Sequence, residues 1–194
     1  AVSRRGVVVT ERTWRAERNH SVELTPAIRS IMEEATVAPP DLNAVFVARG
    51  PGGFSSLRVG MATAKAMAMG LDVPLVAVGT LDIEMTPYLP SEPPVCAIVE
   101  GGRGRLYARW SKSDTKDLAV LTVDELAERT VEHTVFCGEA TIAMAKILVA
   151  QLGDLADVRA VAPPTRRAGT LAALGFVRLE AGEVDDPDVL EPLY

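Results

Sequence analysis

The sequence predicts an α/β protein of two unequal lobes. Three observations carry this. Short apolar runs of strand character alternate with longer helix-period segments. A proline-rich connector at 88–94 interrupts that alternation. The 194 residues, 48% hydrophobic and 24% charged, are enough to bury a sizeable core. The connector sets the expected boundary between an N-terminal lobe at 1–90 and a smaller C-terminal lobe at 95–194. No fixed-period repeat or low-complexity tract is visible.

In chain order, residues 6–14 (GVVVTERTW) read as a strand, the second arm of a hairpin turned at Ser3-Arg4-Arg5-Gly6. Residues 23–36 place Leu24, Ile28, Ile31 and Ala35 on one helical stripe that Met32 widens, with Arg29, Ser30, Glu33 and Glu34 towards water. Ser21 or Thr25 is expected to cap that helix, which leaves Pro26 in its first turn. Residues 44–48 (AVFVA) form a buried strand, and 55–70 a helix. Gly50, Pro51, Gly52 and Gly53 therefore make a strand-to-helix turn. Its three glycines permit positive φ and close approach, and the helix start favours negative charge; a plain tight turn fits the same pattern.

The helix at 55–70 is apolar nearly all round, with Arg58, Thr63 and Lys65 as its polar side chains between Leu57 and Leu71. Such a helix is covered on more than one side. Leu57, Met61, Ala64, Ala68 and Leu71 form a seam suited to another helix, and Gly60, Ala62, Ala66 and Gly70 lie off it. A helix sandwiched within one domain and a helix shared with a partner are both open readings.

Further on, 73–78 reads as a strand, and 80–82 opens a short helix stopped by Pro87. Segments 95–99 and 106–110 flank a glycine-rich turn as a strand pair. Helices follow at 122–132, 139–152 and 168–182, with strands at 135–137 and 158–161.

Charge and composition exclude several functions. The net charge is −6, and the six acids from Glu180 to Glu191 face no base, so the body is neutral and the tail acidic. Lys and Arg are scattered without a basic stripe, which argues against strong direct nucleic-acid binding. No apolar run approaches the ~20 residues that cross a bilayer. No signal peptide is read; the chain starts at Ala1 without an initiator methionine, and an opening segment is expected upstream. Cys96 and Cys137 sit in strand-like runs as small buried thiols, with reduced cytoplasmic residence as the expectation and a disulfide still open.

No catalytic residue emerges. His20 and His133 are far apart, without paired-histidine or paired-cysteine spacing, so no metal site is expected. The glycine loop lacks the Gly-Lys-Ser/Thr ending of a Walker motif. Arg58 is open to two roles, meeting an anion or a partner's carboxylate.

GPGGFSSLRVGMATAKAMAMGLDVPLVAVGTLD resembles the GPGSFTGLR-I-G-x-x-x-A-K-G-L-A segment of the TsaB (YeaZ) family. Residues 19–26 (NHSVELTP) are similar to the family's His-Ser-x-x-Leu-x-P helix start, 99–107 to its D-A-R-R-G-E-V-Y hairpin, and 191–194 (EPLY) to its closing P-x-Y. Two departures stand out. Gly53-Phe54-Ser55-Ser56 replaces Ser-Phe-Thr-Gly, which is expected to supply a serine cap, and the family's opening strand ending in Asp-Thr-Ser is not in the sequence.

The resemblance implies the two-lobed α/β fold of actin-like ATPases and acetate and sugar kinases (ASKHA), with a reduced second lobe and an incomplete first sheet. It implies a non-catalytic cytoplasmic subunit that binds the transferase paralogue TsaD through two helices from each protein, with the ATPase TsaE joining. The assembly installs threonylcarbamoyl on adenosine beside the tRNA anticodon. The partner-facing residues would be Leu24, Ile28, Ile31, Met32 and Ala35 on one helix, and Leu57, Met61, Ala64, Lys65 and Ala68 on the other. Gly50, Pro51, Gly52, Gly53, Phe54 and Arg58 form the loop beside them. No cofactor of its own is implied: ATP or ADP is expected only in the assembled complex, and tRNA is met only through it. Alone, two copies are expected to pair. Two other readings are a nucleotide-binding phosphotransferase of the same superfamily and a glycoprotease-type peptidase.

Overall fold

The computed structural model describes residues 1–14, 19–112, 118–161 and 165–194. In chain order the elements are β1 (Val2–Arg4), β2 (Val7–Thr10), α1 (His20–Glu34), β3 (Val45–Gly50), α2 (Phe54–Leu71), β4 (Leu75–Gly79) and α3 (Thr80–Met85). They continue with β5 (Val95–Gly102), β6 (Arg105–Trp110), β7 (Ala119–Leu121), α4 (Val123–Arg129), β8 (Thr134–Cys137), α5 (Thr141–Leu152), β9 (Ala156–Val158) and α6 (Ala168–Glu180).

Two compact units result, Ala1–Gly79 with Arg167–Tyr194, and Thr80–Arg166. This differs from the expected division in the 88–94 connector. The short helix α3 buries Leu81 and Met85 with Val95, Ala97 and Val99 of β5, so it belongs to the second unit. The last helix and tail return to the first, where α6 packs on β3 and β4.

In the first unit β3 and β4 are parallel, and the β1–β2 hairpin is a separate antiparallel pair. The hairpin turns through Arg5 and Gly6, both at positive φ (50° and 76°), the backbone of a tight two-residue turn. Strand β2 stops at Thr10, short of the expected Trp14. Val47 of β3 packs with Met61, Ala64 and Ala68 of α2. On the opposite face of β3, Phe46 lies against α6, where a Cβ added at Gly175 would sit 2.6 Å from the ring. Helices thus cover both faces of this pair.

Helix α1 starts earlier than expected, with Asn19 as its first flanking residue and no side-chain cap from Ser21 or Thr25. Pro26 consequently falls in the second turn, on an exposed face. Solvent is available there to the backbone carbonyl that loses its helical partner.

The second unit is a five-stranded mixed sheet in the order β7-β6-β5-β8-β9. Central β5 is buried from Val95 to Val99. Cys96 and Ile98 face Leu126 of α4 and Leu148 of α5, and alternate residues face α3. Thr122 and Glu125 cap α4 reciprocally, the Glu125 N–H donating to the Thr122 hydroxyl (3.2 Å) and the Thr122 N–H to the Glu125 carboxylate (2.7 Å). The last strand begins at Ala156 rather than 158, because α5 ends at Gly153 (φ 55°) and a single 3₁₀ turn leads straight into it. Strand β7, unforeseen in the sequence, is a three-residue edge.

Cys96 and Cys137 are free and lie in clusters on opposite faces of this sheet. Their side chains diverge, which rules out a bond between them. Burial, with the charge of Glu84 adding to it, pushes the Cys137 thiol up to about 12, and burial raises Cys96 as well. Native protein at pH 8 is therefore expected to leave both thiols unmodified by a soluble disulfide reagent, with both reacting after denaturation. Fast labelling of either in the native state would contradict the packing.

Candidate functional site

The glycine loop and the helix it launches form the first unit's most distinctive surface. Gly50 ends β3 at φ 112°, the conformation a glycine permits, whereas Gly53 has an ordinary φ of −59°. No side chain caps α2; the Ser56 hydroxyl instead donates to the Gly53 carbonyl at 2.8 Å, so the expected serine cap does not form.

The space beside the loop is taken by the chain's own tail. The Leu193 N–H donates to the Arg49 carbonyl (2.8 Å), and Arg49 Nε to the Glu191 carbonyl (3.3 Å). A Cβ at Gly50 would fall 2.1 Å from the Leu193 carbonyl oxygen. Phe54 and Tyr194 stack with ring centroids 4.6 Å apart, and the Arg58 guanidinium lies 5.2 Å above the Phe54 ring. Gly50 thus seats a backbone carbonyl, and Arg58 makes a cation–π contact at an exposed position.

The acidic tail is itself anchored. The Asp185 N–H donates to the Leu75 carbonyl (2.8 Å), and its carboxylate accepts the Ala77 N–H (2.8 Å). Arg178 donates to the Glu183 carboxylate (2.9 Å) and to the Ala77 carbonyl. Leu190 is buried with Val47, Met61 and Leu75.

The ten expected partner-facing residues divide, and the division corrects the expectation. Leu57, Met61, Ala64 and Ala68 are buried in the first unit's own core. Ile31, Met32 and Ala35 are buried around Val2. Leu24, Ile28 and Lys65 are half-buried. The seam with the larger side chains faces inward because leucine and methionine gain more from burial than alanine does. What α2 exposes is the next row, Phe54, Arg58, Ala62, Ala66 and Gly70, with Met69 60% exposed beside it. On α1 Val22 is 71% exposed. The missed row repeats every four residues, and its signal in the sequence is side-chain size: small residues outside, large ones inside.

Elsewhere, the second unit buries one acid. Glu84 accepts a hydrogen bond from the Thr165 hydroxyl (2.7 Å) and one from Arg166 Nε (3.4 Å), and Arg166 also pairs with Glu139. Burial raises the Glu84 carboxyl above its ordinary value of 4.5, and the Thr165 and Arg166 contacts oppose that rise. The folded protein therefore holds this proton more readily than the unfolded chain. The stability it contributes is full below the ordinary value and is lost as pH rises through the raised one. Glu84→Gln is expected to gain stability relative to the parent as pH rises across that window, read from urea midpoints. A difference independent of pH would count against it.

Among the described residues no group of three or more His, Cys, Asp or Glu is placed to hold a metal. His20 opens α1, and His133 is exposed. No described helix is long and apolar enough to cross a membrane.

Comparison with known proteins gives consistent matches. A family model described as TsaD, tRNA N6-adenosine threonylcarbamoyltransferase, matches residues 8–134. The chain is 28% identical to the tRNA threonylcarbamoyladenosine biosynthesis protein TsaB of Bacillus subtilis, covering 98% of this chain and 87% of that protein. It is 38% identical to the tRNA N6-adenosine threonylcarbamoyltransferase of Salinibacter ruber over 96 residues, 47% of this chain and 29% of the transferase. Among solved structures, YeaZ from Pseudomonas aeruginosa superposes with a TM-score of 0.73 at 21% identity, over 91% of this chain and 84% of that one.

Proposed function

Because the chain belongs to the TsaD family of tRNA N6-adenosine threonylcarbamoyltransferases, aligns with a TsaB protein along its length and has the actin-like fold of the YeaZ structures, we propose that it serves threonylcarbamoyladenosine formation in tRNA as an assembly subunit. It binds a full-length transferase paralogue and activates it without performing the transfer. The ATPase TsaE joins through that pair, any nucleotide is held in the assembled complex, and tRNA is met there.

The observation that carries this reading is the exposed small-residue row of α2, Ala62, Ala66 and Gly70, flanked by Phe54, Arg58 and Met69. Alanine and glycine let a second helix approach closely, and an apolar row left open to water gains by being covered. The match at 8–134 includes both α1 and α2. A paralogue with the corresponding helices would therefore present a similar row, and two like surfaces pair about a pseudo-two-fold axis. The same logic pairs two copies of this chain when the paralogue is absent.

The test is reconstitution. Transferase paralogue, ATPase and substrate tRNA from the same cell are assayed for modified adenosine with and without this chain, and complex formation is followed by size exclusion. Modification that needs this chain, together with co-elution, is the expected result. Equal modification without it, or no co-elution, would overturn the reading.

A further inference from the structure

The first unit contains a cavity of about 740 Å³ bounded by two strands, β1 and β3. Each is hydrogen-bonded on one side, β1 to β2 and β3 to β4, and the two pairs are separate sheets. Val2–Arg4 and residues 45–48 line the cavity, whereas no residue of β2 or β4 does. The unpaired edges of β1 and β3 therefore border the same space.

Both faces of that space are roofed by helices. Ile31 of α1 and Met67 of α2 close one face, Leu171 and Phe176 of α6 the other. Open backbone donors and acceptors on two edges are satisfied together by one extended chain lying between them. Apolar cover above and below calls for a strand that is apolar on both sides rather than alternating.

Size agrees with this. A strand within a layered fold fills roughly 160 Å³ per residue, from a lateral spacing of ~4.8 Å, a layer depth of ~10 Å and a rise of ~3.3 Å. The cavity then holds about four or five residues, the length of the β3 edge that lines it. Charge gives the slot an end. Arg4 and Arg5 line it and make no ion pair among the described residues, while the Asp41 carboxylate, also in the lining, accepts the Ala38 N–H.

We propose that the slot between β1 and β3 is a strand acceptor. It binds one extended apolar peptide segment, with a carboxylate at the Arg4–Arg5 end, which joins the two pairs into a single five-stranded sheet. The site uses neither the outer row of α2 nor the transferase, so it stands or falls apart from the proposed function.

The probe is acetyl-Leu-Val-Ala-Val-Asp, built on the sequence of β4, a strand that already pairs with β3. Titrated into the full chain, it is expected to bind saturably and to slow amide hydrogen exchange in residues 2–4 and 45–48. N-methylation at alternate residues, which keeps the side chains and removes donors, should weaken binding about tenfold or more. Lysine in place of the terminal aspartate should weaken it as well. Gly60→Phe should abolish binding, because Gly60 lines the slot and a Cβ there meets nothing within 4 Å, leaving room for the ring to fill it. The absence of saturable binding, or equal binding of the N-methylated or lysine peptide, would overturn the proposal. So would full affinity in a folded Gly60→Phe protein. The two peptide comparisons use unaltered protein and do not depend on that variant folding.

Discussion

Glutamates at Ala62 and Ala66 are expected to abolish binding to the transferase paralogue, with a loss of at least about a hundredfold in affinity, while leaving the isolated chain folded. Both alanines are exposed on α2, where substitutions to good helix formers change stability by about 0.5 kcal/mol or less. At a closely packed helix contact the same side chains would bury two carboxylates without partners. That costs several kcal/mol for each charge, against the ~2.8 kcal/mol that a hundredfold represents. Aspartates at Met61 and Ala64, one position earlier and two later, do something else. Those residues are 3% and 6% exposed and pack on Val47 and Ala77, so the substitution breaks the first unit itself. Circular dichroism and size exclusion on both pairs separate the cases. Unchanged binding by a folded Ala62→Glu/Ala66→Glu chain would remove α2 from the interface.

The contrast between those pairs shows where sequence reasoning stops. The position of α2 and of its glycine loop is legible, because a β-branched run, a Gly-Pro-Gly-Gly turn and a long apolar segment follow one another without ambiguity. Its orientation is not. In a helix with apolar residues on every side, periodicity identifies two candidate rows without saying which is inward. The choice rests on Leu57 and Met61 burying more surface than Ala62 and Ala66. The acids of 180–191 look like a solvated tail, yet Asp185 holds the Ala77 N–H and Leu190 enters the core. Both are contacts across more than a hundred residues of chain, which no local pattern encodes. The division of the chain failed to show for a related reason. Prolines at 87–94 mark a break in local structure, whereas α3 is assigned by what Leu81 and Met85 bury against. The loop's role as an anion cradle was equally open in the sequence, and the Leu193 carbonyl now occupies the close approach that Gly50 allows.

That occupancy makes Gly50→Ala the most damaging single methyl group expected in the first unit. Two costs add. An alanine at φ 112° is strained, by about 1–3 kcal/mol. Its Cβ would also sit 2.1 Å from a backbone oxygen, which cannot swing aside as a side chain would. The tail must lift, and it takes with it the Leu193–Arg49 hydrogen bond and the stacking of Tyr194 on Phe54, together worth about 1–2 kcal/mol more. A fall of about 3 kcal/mol in unfolding free energy is expected, read as a lowered denaturant midpoint at unchanged slope. Gly53→Ala is the matched control. Its φ of −59° suits alanine, and its new Cβ meets only the Ser56 hydroxyl, at 3.0 Å, so a small effect is expected. Removing residues 192–194 in both backgrounds completes a cycle. The shortened chain should lose the collision share of the Gly50→Ala penalty and keep the share due to φ. An undiminished penalty would mean that the tail does not rest on the loop. Because Phe54 and Arg58 belong both to the tail contact and to the exposed row of α2, Gly50→Ala should also weaken transferase binding, whereas Gly53→Ala should leave it intact.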